Sequence, residues 1–186
     1  MSGTFVAVVG PSGVGKDSLI LFARQRLEAS GRVSFVRRVV TRQADGGSED
    51  HDSMSIADFA AAESQGQFAL NWDAHGLRYG LPITLEDDLE AGRVVVANLS
   101  RSVIPDVMQR YPDALVVLVT ADRDVLEQRL AARGRETAES IGKRLDRTVG
   151  DTLPASTIRI DNSGALEIAG EQFTQLLSDA AGLVRA

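Results

Sequence analysis

The chain has 186 residues, of which 44% are hydrophobic and 25% charged, so it suits one α/β domain and is too short for two ordinary ones. Cysteine is absent, which excludes disulfides and thiolate metal sites. The formal net charge of −6 argues against general nucleic-acid binding, and no apolar run approaches the ~20 residues that span a membrane. The N-terminus enters an apolar run without a basic leader. We therefore expect a cytoplasmic protein with no signal peptide, no membrane partner and no nucleic-acid partner.

Apolar runs and amphipathic segments alternate from the start of the chain. TFVAVV (4–9) is a short β-branched run, typical of a buried parallel strand. A helical pattern follows from about Lys16 to Ala29 and ends at Ser30-Gly31. VSFVRRVVT (33–41) predicts a strand, and the polar segment QADGGSEDHDS (43–53) predicts a loop. Glu49, Asp50, His51 and Asp52 in that loop invite a metal site, but consecutive residues rarely face one ion, so a polar loop is favoured.

The alternation continues to the end of the chain. IADFAAAESQ (56–65) predicts a helix, and FALNWDAHGLRYG (68–80) predicts short strands around a turn at His75-Gly76. A helix at Glu86–Ala91 is followed by two buried-strand candidates, RVVVANL (93–99) and ALVVLVT (114–120). A helix from near Asp122, an Arg-rich segment, a helix through Arg147, the strand TIRID (157–161) and a C-terminal amphipathic helix complete the pattern. It predicts an α/β fold whose parallel sheet is covered by helices on both faces.

VAVVGPSGVGKDSL (6–19) contains a phosphate-binding loop between the first strand and the first helix. The pattern G-x-x-x-x-G-K is normally followed by Ser or Thr, but Asp17 stands there and Ser18 comes one step late. The glycines let backbone N–H groups surround phosphate oxygens, and the helix N-terminus adds partial positive charge. Lys16 is expected to reach the β- and γ-phosphates of ATP and to be catalytic. The predicted nucleotide-binding residues are Gly10, Pro11, Ser12, Gly13, Val14, Gly15, Lys16, Asp17 and Ser18.

Asp17 occupies the position where a hydroxyl usually ligates Mg²⁺. A carboxylate is an equally hard oxygen donor, and Mg²⁺ accepts carboxylates readily. We therefore predict that Asp17 is a magnesium ligand and that it makes nucleotide binding more strictly magnesium-dependent. A disabled site is the alternative, but Lys16 and all the loop glycines remain in place.

The order of features beyond the loop resembles the guanylate kinase-like family of P-loop kinases. Thr41-Arg42, Arg78-Tyr79-Gly80, Asn98-Leu99-Ser100 and RLAARGRETAESIGKRL (129–145) follow one another as that family's T-R pair, Y-G pair, acidic strand end and Arg-bearing lid do. This resemblance spans nearly the whole chain. It implies a single P-loop kinase domain with its core at about 1–32 and 92–186, an acceptor-binding insertion at about 33–91 and a lid at about 131–144.

Departures from the guanylate kinase pattern narrow the expected acceptor. The acids that read guanine in that family are replaced by Asn71, Asn98 and Ser100. A site built to hydrogen-bond one group rejects its substitutes, because its own polar groups would go unpaired, so an acceptor without guanine is expected. GPSGVGKDS (10–18), GSEDH (47–51), WDAHGLRYG (72–80) and RGRE (133–136) resemble the ribose 1,5-bisphosphate phosphokinases of phosphonate breakdown, in which Asp after the loop Lys is normal. That resemblance implies transfer of the γ-phosphoryl group of ATP to this phosphorylated sugar, giving 5-phosphoribosyl 1-diphosphate.

An acceptor with two phosphates needs two cationic patches, and Arg forks grip phosphate oxygens in pairs. Arg38 and Arg42 form one candidate patch, and Arg78 or Arg101 supplies the other. The predicted acceptor-binding residues are Arg38, Arg42, Tyr79, Asn98, Ser100 and Arg101. The predicted catalytic lid arginines are Arg133, Arg135 and Arg144, with Arg129 four residues before Arg133 on the same helix face.

Several alternatives stay open from the sequence. The chain could be a guanylate kinase or another nucleoside monophosphate kinase, or a non-catalytic binding module of the same fold. Asp122 follows a strand as a metal-binding acid might, but a helix N-cap is favoured there. Trp72 could pack against other side chains or line the acceptor pocket, and His75 could form part of the turn or act as a ligand. A homodimer is left open.

Overall fold

Strands and helices alternate in the computed structural model, which describes residues 3–42, 51–74, 76–132 and 153–183. The strands are β1 (Thr4–Val9), β2 (Val33–Phe35), β3 (Arg38–Val40), β4 (His51–Ser53), β5 (Phe68–Ala74), β6 (Leu77–Pro82), β7 (Val94–Asn98), β8 (Leu115–Thr120) and β9 (Ile158–Asp161). The helices are α1 (Lys16–Leu27), α2 (Ile56–Ser64), α3 (Leu85–Glu90), α4 (Ile104–Arg110), α5 (Arg123–Ala132) and α6 (Leu166–Ala180). Short 3₁₀ turns cover Glu28–Ser30 and Arg101–Val103.

Five of these strands form a parallel sheet in the order β2-β7-β1-β8-β9. Alternate side chains of β1 enter two different cores. Val6 and Val8 pack in the cluster that contains Leu19 of α1 and Phe173 of α6, while residues 5, 7 and 9 lie in the cluster that contains Ile104 of α4. Helices therefore cover both faces, which explains why β1 is apolar throughout instead of alternating. The predicted α/β fold with a parallel sheet flanked by helices is confirmed.

A second, four-stranded sheet lies between Arg38 and Pro82, in the order β4-β3-β6-β5. β3 pairs with β4 in parallel, and the β3–β6 and β5–β6 pairs are antiparallel. Helix α2 packs on this sheet through Phe59, whose ring stacks on Phe68 with centroids 4.5 Å apart. Ser55 caps α2, because its hydroxyl accepts a hydrogen bond from the backbone N–H of Asp58. The hairpin predicted around residues 75–76 is confirmed.

Two sequence predictions about local structure were wrong, and one helix was not predicted. The segment 33–41, predicted as one strand, is split into β2 and β3, because the chain leaves β7 of the large sheet after Val36 and pairs next with β6 of the small one. Residues 51–53, predicted as loop, form β4, and His51 is only 9% exposed. The sequence did not predict α4, which has proline in its first turn and buries Ile104 and Val107. None of the helices within the described ranges is long and apolar enough to cross a membrane.

Candidate active site

The glycine loop lies at the carboxyl end of β1, where the chain turns into α1. Gly13 and Gly15 have φ of 81° and 92°, a region that side chains with a Cβ rarely adopt. A Cβ on Gly15 would also lie 2.5 Å from Asn162 Nδ2, so glycine is required for space as well as for conformation. Lys16 opens α1, and its ammonium donates to the carbonyl oxygens of Gly10 at 2.8 Å and Pro11 at 3.1 Å. The loop thus encircles a cation at a helix N-terminus, the arrangement that binds phosphate.

Asn162 anchors this loop from the end of β9, two strands away from β1 in the sheet. It directly follows β9 and is 2% exposed, and its Nδ2 donates to the Val14 carbonyl oxygen at 2.8 Å. The Asn162 backbone N–H donates to the Thr120 carbonyl oxygen, which fixes the residue to the end of β8. Arg129 of α5 approaches the same Val14 oxygen at 3.5 Å. Asn162 was not among the predicted site residues; a polar residue directly after the last predicted strand was the available signal.

Asp17 and Asn98 meet where α1 faces the carboxyl end of β7. Asn98 is 6% exposed, and its Nδ2 donates to Asp17 Oδ1 at 2.6 Å. The same Asp17 oxygen lies 3.9 Å from a guanidinium nitrogen of Arg38. No cluster of three or more His, Cys, Asp or Glu capable of holding a metal occurs among the described residues. Mg²⁺ keeps several waters and binds through one or two carboxylates plus substrate phosphates, so a single carboxylate beside the loop fits this ion.

The predicted acceptor residues lie along one continuous set of contacts between the two sheets. Trp72 Nε1 donates to the Ser100 hydroxyl at 3.0 Å. The Trp72 and Tyr79 rings stack with centroids 5.4 Å apart and planes 10° apart, and the Arg38 guanidinium lies 5.8 Å from the Tyr79 centroid. Arg38 in turn approaches Asp17. The structure therefore brings four predicted residues, Arg38, Tyr79, Asn98 and Ser100, to the space beside the P-loop.

Arg78 does not belong to that space, although the sequence analysis offered it as a second phosphate ligand. One of its terminal nitrogens donates to both carboxylate oxygens of Glu63 at 2.8 Å, and its Nε lies 3.4 Å from Asp73. The hydrogen bond with Glu63 raises the pKa of Arg78 above its ordinary value. Its guanidinium also covers the Phe59 ring. Arg78 therefore fastens α2 to the hairpin, and its contact with the acceptor stays a prediction.

The other predicted arginines divide into those the structure describes and those it does not. Arg42 comes directly after Thr41, whose backbone N–H donates to the Arg78 carbonyl oxygen and whose hydroxyl accepts from the Arg78 backbone N–H. Arg101 begins the 3₁₀ turn after Ser100. Arg133, Arg135 and Arg144, like His75, lie outside the described residues. Asp122 directly precedes α5, and its carbonyl oxygen accepts from the backbone N–H of Leu126, as a residue at an N-cap does.

A small cavity with three arginines opens beside Asp17. Its volume is about 90 Å³, and Arg24, Arg37 and Arg38 line it together with Asp17 and Asn98. Arg24 is paired with Glu28, and Arg37 with Asp52, each at 3.0 Å. This cavity, which we call the arginine cavity, places three guanidinium groups next to the phosphate-binding loop, and two of them are ion-paired within the protein.

A larger cavity of about 600 Å³ lies at the amino ends of the parallel strands, where Phe5 and Ala114 stand near the starts of β1 and β8. Its charged lining consists of Glu86, Glu90, Asp113 and Arg110. Glu86 accepts hydrogen bonds from Arg110 and from the Tyr111 hydroxyl, and burial raises the pKa of that phenol. This predominantly acidic lining has the wrong sign for a phosphorylated substrate, and ligands of parallel sheets bind at the carboxyl ends of the strands.

Comparison with known proteins identifies close relatives. No protein-family model matches the chain. A Brucella melitensis protein named ribose 1,5-bisphosphate phosphokinase PhnN is 50% identical over 180 residues, which are 96% of this chain and 94% of that protein. A Pseudofrankia inefficax protein of the same name is 48% identical over 183 residues, 97% of this chain and 93% of its own. The solved structure of guanylate kinase from Anaplasma phagocytophilum superposes with a TM-score of 0.67 at 17% identity, covering 96% of this chain and 86% of that one, and it shows the shared fold.

Proposed function

The chain belongs to the family of ribose 1,5-bisphosphate phosphokinases, and we propose that it transfers the γ-phosphoryl group of ATP to ribose 1,5-bisphosphate, forming 5-phosphoribosyl 1-diphosphate and ADP. The observation that carries this proposal is the 50% identity with a relative of that name over 96% of the chain. The reaction belongs to phosphonate breakdown, as the resemblance of the site motifs implied.

The P-loop holds the triphosphate in this proposal. Lys16 leaves the carbonyl oxygens of Gly10 and Pro11 for the β- and γ-phosphate oxygens, whose charge it follows through the transition state. Asp17 is the side chain that would hold Mg²⁺, and the bound ion would neutralise charge on the same phosphates. Asn162 keeps the loop in place through the Val14 carbonyl.

The attacking atom is an oxygen of the acceptor's 1-phosphate. It is already anionic near neutral pH, so the step needs alignment and charge neutralisation instead of a general base. A bond forms between this oxygen and the γ-phosphorus, and the bond from the γ-phosphorus to the bridging oxygen of ADP breaks. The arginine cavity agrees with this chemistry, because its one lining carboxylate, Asp17, is already engaged by Asn98 and Arg38.

Two phosphates on the acceptor match the distribution of arginines. Arg38 stands between Asp17 and Tyr79, next to the transferring phosphoryl group, and Arg42 follows on the same chain segment. Arg24 and Arg37, which are ion-paired with Glu28 and Asp52, also line the arginine cavity. We assign the distal 5-phosphate to this cavity in preference to Arg78, because Asp17 of the P-loop lines the cavity.

The same residues argue against a guanine nucleotide as acceptor. The Asn98 amide donates to Asp17, and the Ser100 hydroxyl accepts from Trp72. Guanine presents N–H donors on its Watson–Crick edge and is read by acceptors such as carboxylates. Positions 98 and 100 carry no acid, and the Asn98 NH₂ group and the Ser100 hydroxyl oxygen are already hydrogen-bonded within the protein.

Turnover with several acceptors in parallel tests the proposal. Purified protein is given Mg-ATP with ribose 1,5-bisphosphate, GMP, AMP or ribose 5-phosphate, and ADP release is measured for each, with Lys16→Ala as the blank. We expect turnover above the blank with ribose 1,5-bisphosphate alone. ADP release with GMP and none with the sugar bisphosphate would show that the chain is a nucleotide kinase.

An arginine pair tests where the distal phosphate binds. Arg37→Ala removes one guanidinium of the arginine cavity. Arg93→Ala removes one that is paired with Asp88 and lies just before the start of β7. Loss of one charge-assisted phosphate contact corresponds to about a 10-fold rise in KM for the sugar bisphosphate. We expect that rise for Arg37→Ala, with KM for ATP unchanged, and no change in either constant for Arg93→Ala. An unchanged sugar KM in Arg37→Ala would remove this cavity from the site.

A further inference from the structure

Two departures occur at side chains that touch, one from the ordinary P-loop motif and one from the guanylate kinase-like pattern that the chain resembles. An acid replaces the hydroxyl after the loop lysine, and an amide replaces an acid at the end of the next core strand. In the structure these residues, Asp17 and Asn98, are hydrogen-bonded at 2.6 Å. One contact therefore accounts for both departures.

The contact fixes the orientation of the amide. An ionised carboxylate only accepts hydrogen bonds, so the NH₂ group of Asn98 must be the group that faces Asp17. Asn98 Oδ1 then faces away from that carboxylate, and it is buried without a hydrogen-bond partner among the described residues. An acceptor kept dry and unpaired carries a free-energy cost that proteins rarely retain without a ligand to satisfy it.

The contact also limits how many negative charges the side chains at positions 17 and 98 can carry together. A carboxylate at position 98 would face Asp17 at hydrogen-bonding distance, and like charges that close disfavour each other strongly. Arg38 is a basic group close to Asp17, at 3.9 Å. The Lys16 ammonium donates to the loop carbonyls, and Arg24 and Arg37 of the arginine cavity have the acidic partners Glu28 and Asp52.

We propose that Asn98 is a positioning residue for Asp17, and that positions 17 and 98 together accommodate one negative charge. Its amide NH₂ holds the Asp17 carboxylate beside the P-loop, where that carboxylate would bind Mg²⁺. The charge limit is independent of the acceptor and of ATP. The effect on the metal rests on the proposed ATP binding.

An isosteric exchange tests the charge limit in protein freed of metal and nucleotide. The variants are Asp17→Asn, Asn98→Asp and the double exchange, and the readout is the midpoint of thermal unfolding, Tm. We expect Asn98→Asp to lower Tm by about 5–10 °C, because it removes a buried charge-assisted hydrogen bond and adds a repulsion. The double exchange restores an amide facing a carboxylate, so we expect it to regain at least half of that loss.

Additive changes would overturn the charge limit. In that outcome the double exchange melts as low as Asn98→Asp or lower, or Asn98→Asp melts like the unaltered protein. Should Asn98→Asp fail to fold, recovery of folded protein in the double exchange is the same rescue. An unfolded double exchange would then contradict the proposal.

A magnesium titration tests the positioning role. Asn98→Leu keeps Asp17 but removes its donor, and Thr174→Val is the control, since it removes a buried hydroxyl of α6 that donates to the Gly170 carbonyl oxygen. Binding of a fluorescent ATP analogue is followed against Mg²⁺ concentration. We expect Asn98→Leu to raise the half-saturating Mg²⁺ concentration about 10-fold, as loss of a ligand's hydrogen-bond partner does. Thr174→Val should leave it unchanged.

The outcomes of this titration are distinct from failure of the proposed function. If the unaltered protein does not bind the ATP analogue, the P-loop assignment itself is wrong. If it binds, and Asn98→Leu shows the unaltered dependence on Mg²⁺, then Asn98 does not position a metal ligand.

Discussion

Replacing Asn162 by alanine tests whether one buried amide holds the P-loop in shape. The side chain is 2% exposed, and its Nδ2 donates to the Val14 carbonyl oxygen at 2.8 Å. After truncation the donor that remains for that carbonyl among the described residues is Arg129, at a long 3.5 Å. Leaving a buried carbonyl without its main donor costs about 1–3 kcal/mol, and Tm falls by about 2–4 °C per kcal/mol in a domain of this size. We therefore expect a Tm lower by about 2–12 °C.

The same truncation should weaken the binding of ATP more than the binding of the acceptor. If about 1.4 kcal/mol of the loss falls on the loop's phosphate-binding conformation, KM for ATP rises about 10-fold while KM for the acceptor stays within about twofold. Steady-state kinetics at 20 °C, well below unfolding, separate this effect from instability. Gln175→Ala is the matched control, since its amide donates to Asp179 on an exposed helix face. Equal Tm values for the two variants, with unchanged KM for ATP, would refute the anchoring role.

The remaining predictions concern the loop, the lid and the aromatic pair. Lys16→Ala should lower kcat by at least about 1,000-fold, since it removes the loop's cation; near-normal kinetics would show that the loop is not the active centre. Gly15→Ala should abolish binding of a fluorescent ATP analogue, because its Cβ would lie 2.5 Å from Asn162 Nδ2; binding at the unaltered affinity would contradict the loop geometry. Arg135→Ala should lower kcat about 100-fold or more and leave KM for ATP within about threefold if Arg135 closes over the transferring phosphoryl group, and an unchanged kcat would exclude it from the lid. Trp72→Phe keeps the ring stack but loses the 3.0 Å hydrogen bond to Ser100, so the acceptor KM should rise about 3–10-fold, and an unchanged value would place that bond outside the acceptor site.

The parts of the fold that depend on local pattern could be predicted from the sequence. β1 and β8 are short apolar runs buried on both faces, and the glycine loop between β1 and α1 has a spacing that few other structures require. The hairpin of β5 and β6 followed from alternating side chains around a turn at residues 75–76. These features are set by neighbours in the chain, which a sequence displays directly.

The parts that depend on distant partners could not be predicted in this way. The break between β2 and β3 exists because the first part of the segment pairs with β7 and the second part pairs with β6, both dozens of residues away. The sequence suggested Arg78 as a phosphate ligand, and only the structure shows its ion pairs with Glu63 and Asp73. Asn162 lies 148 residues from Val14, whose carbonyl it holds, and no local pattern indicates that pairing.

The site residues show the same division. Lys16 and Asp17 were identified by spacing along one loop, and Asn98 and Ser100 only by their order in a resemblance. What the sequence did not give was the 2.6 Å contact between Asp17 and Asn98, because an acid and an amide 81 residues apart carry no mutual signal in a single chain.

The fate of the γ-phosphorus tests the central claim most directly. ATP labelled with ¹⁸O in its γ-phosphoryl group is incubated with Mg²⁺, ribose 1,5-bisphosphate and the protein, and the products are followed by phosphorus NMR. The account predicts a new diphosphate on carbon 1 of the ribose, with the label on its outer phosphorus and one ADP formed for each diphosphate. Label released as inorganic phosphate, or found on a guanosine diphosphate when GMP is also present, would contradict it.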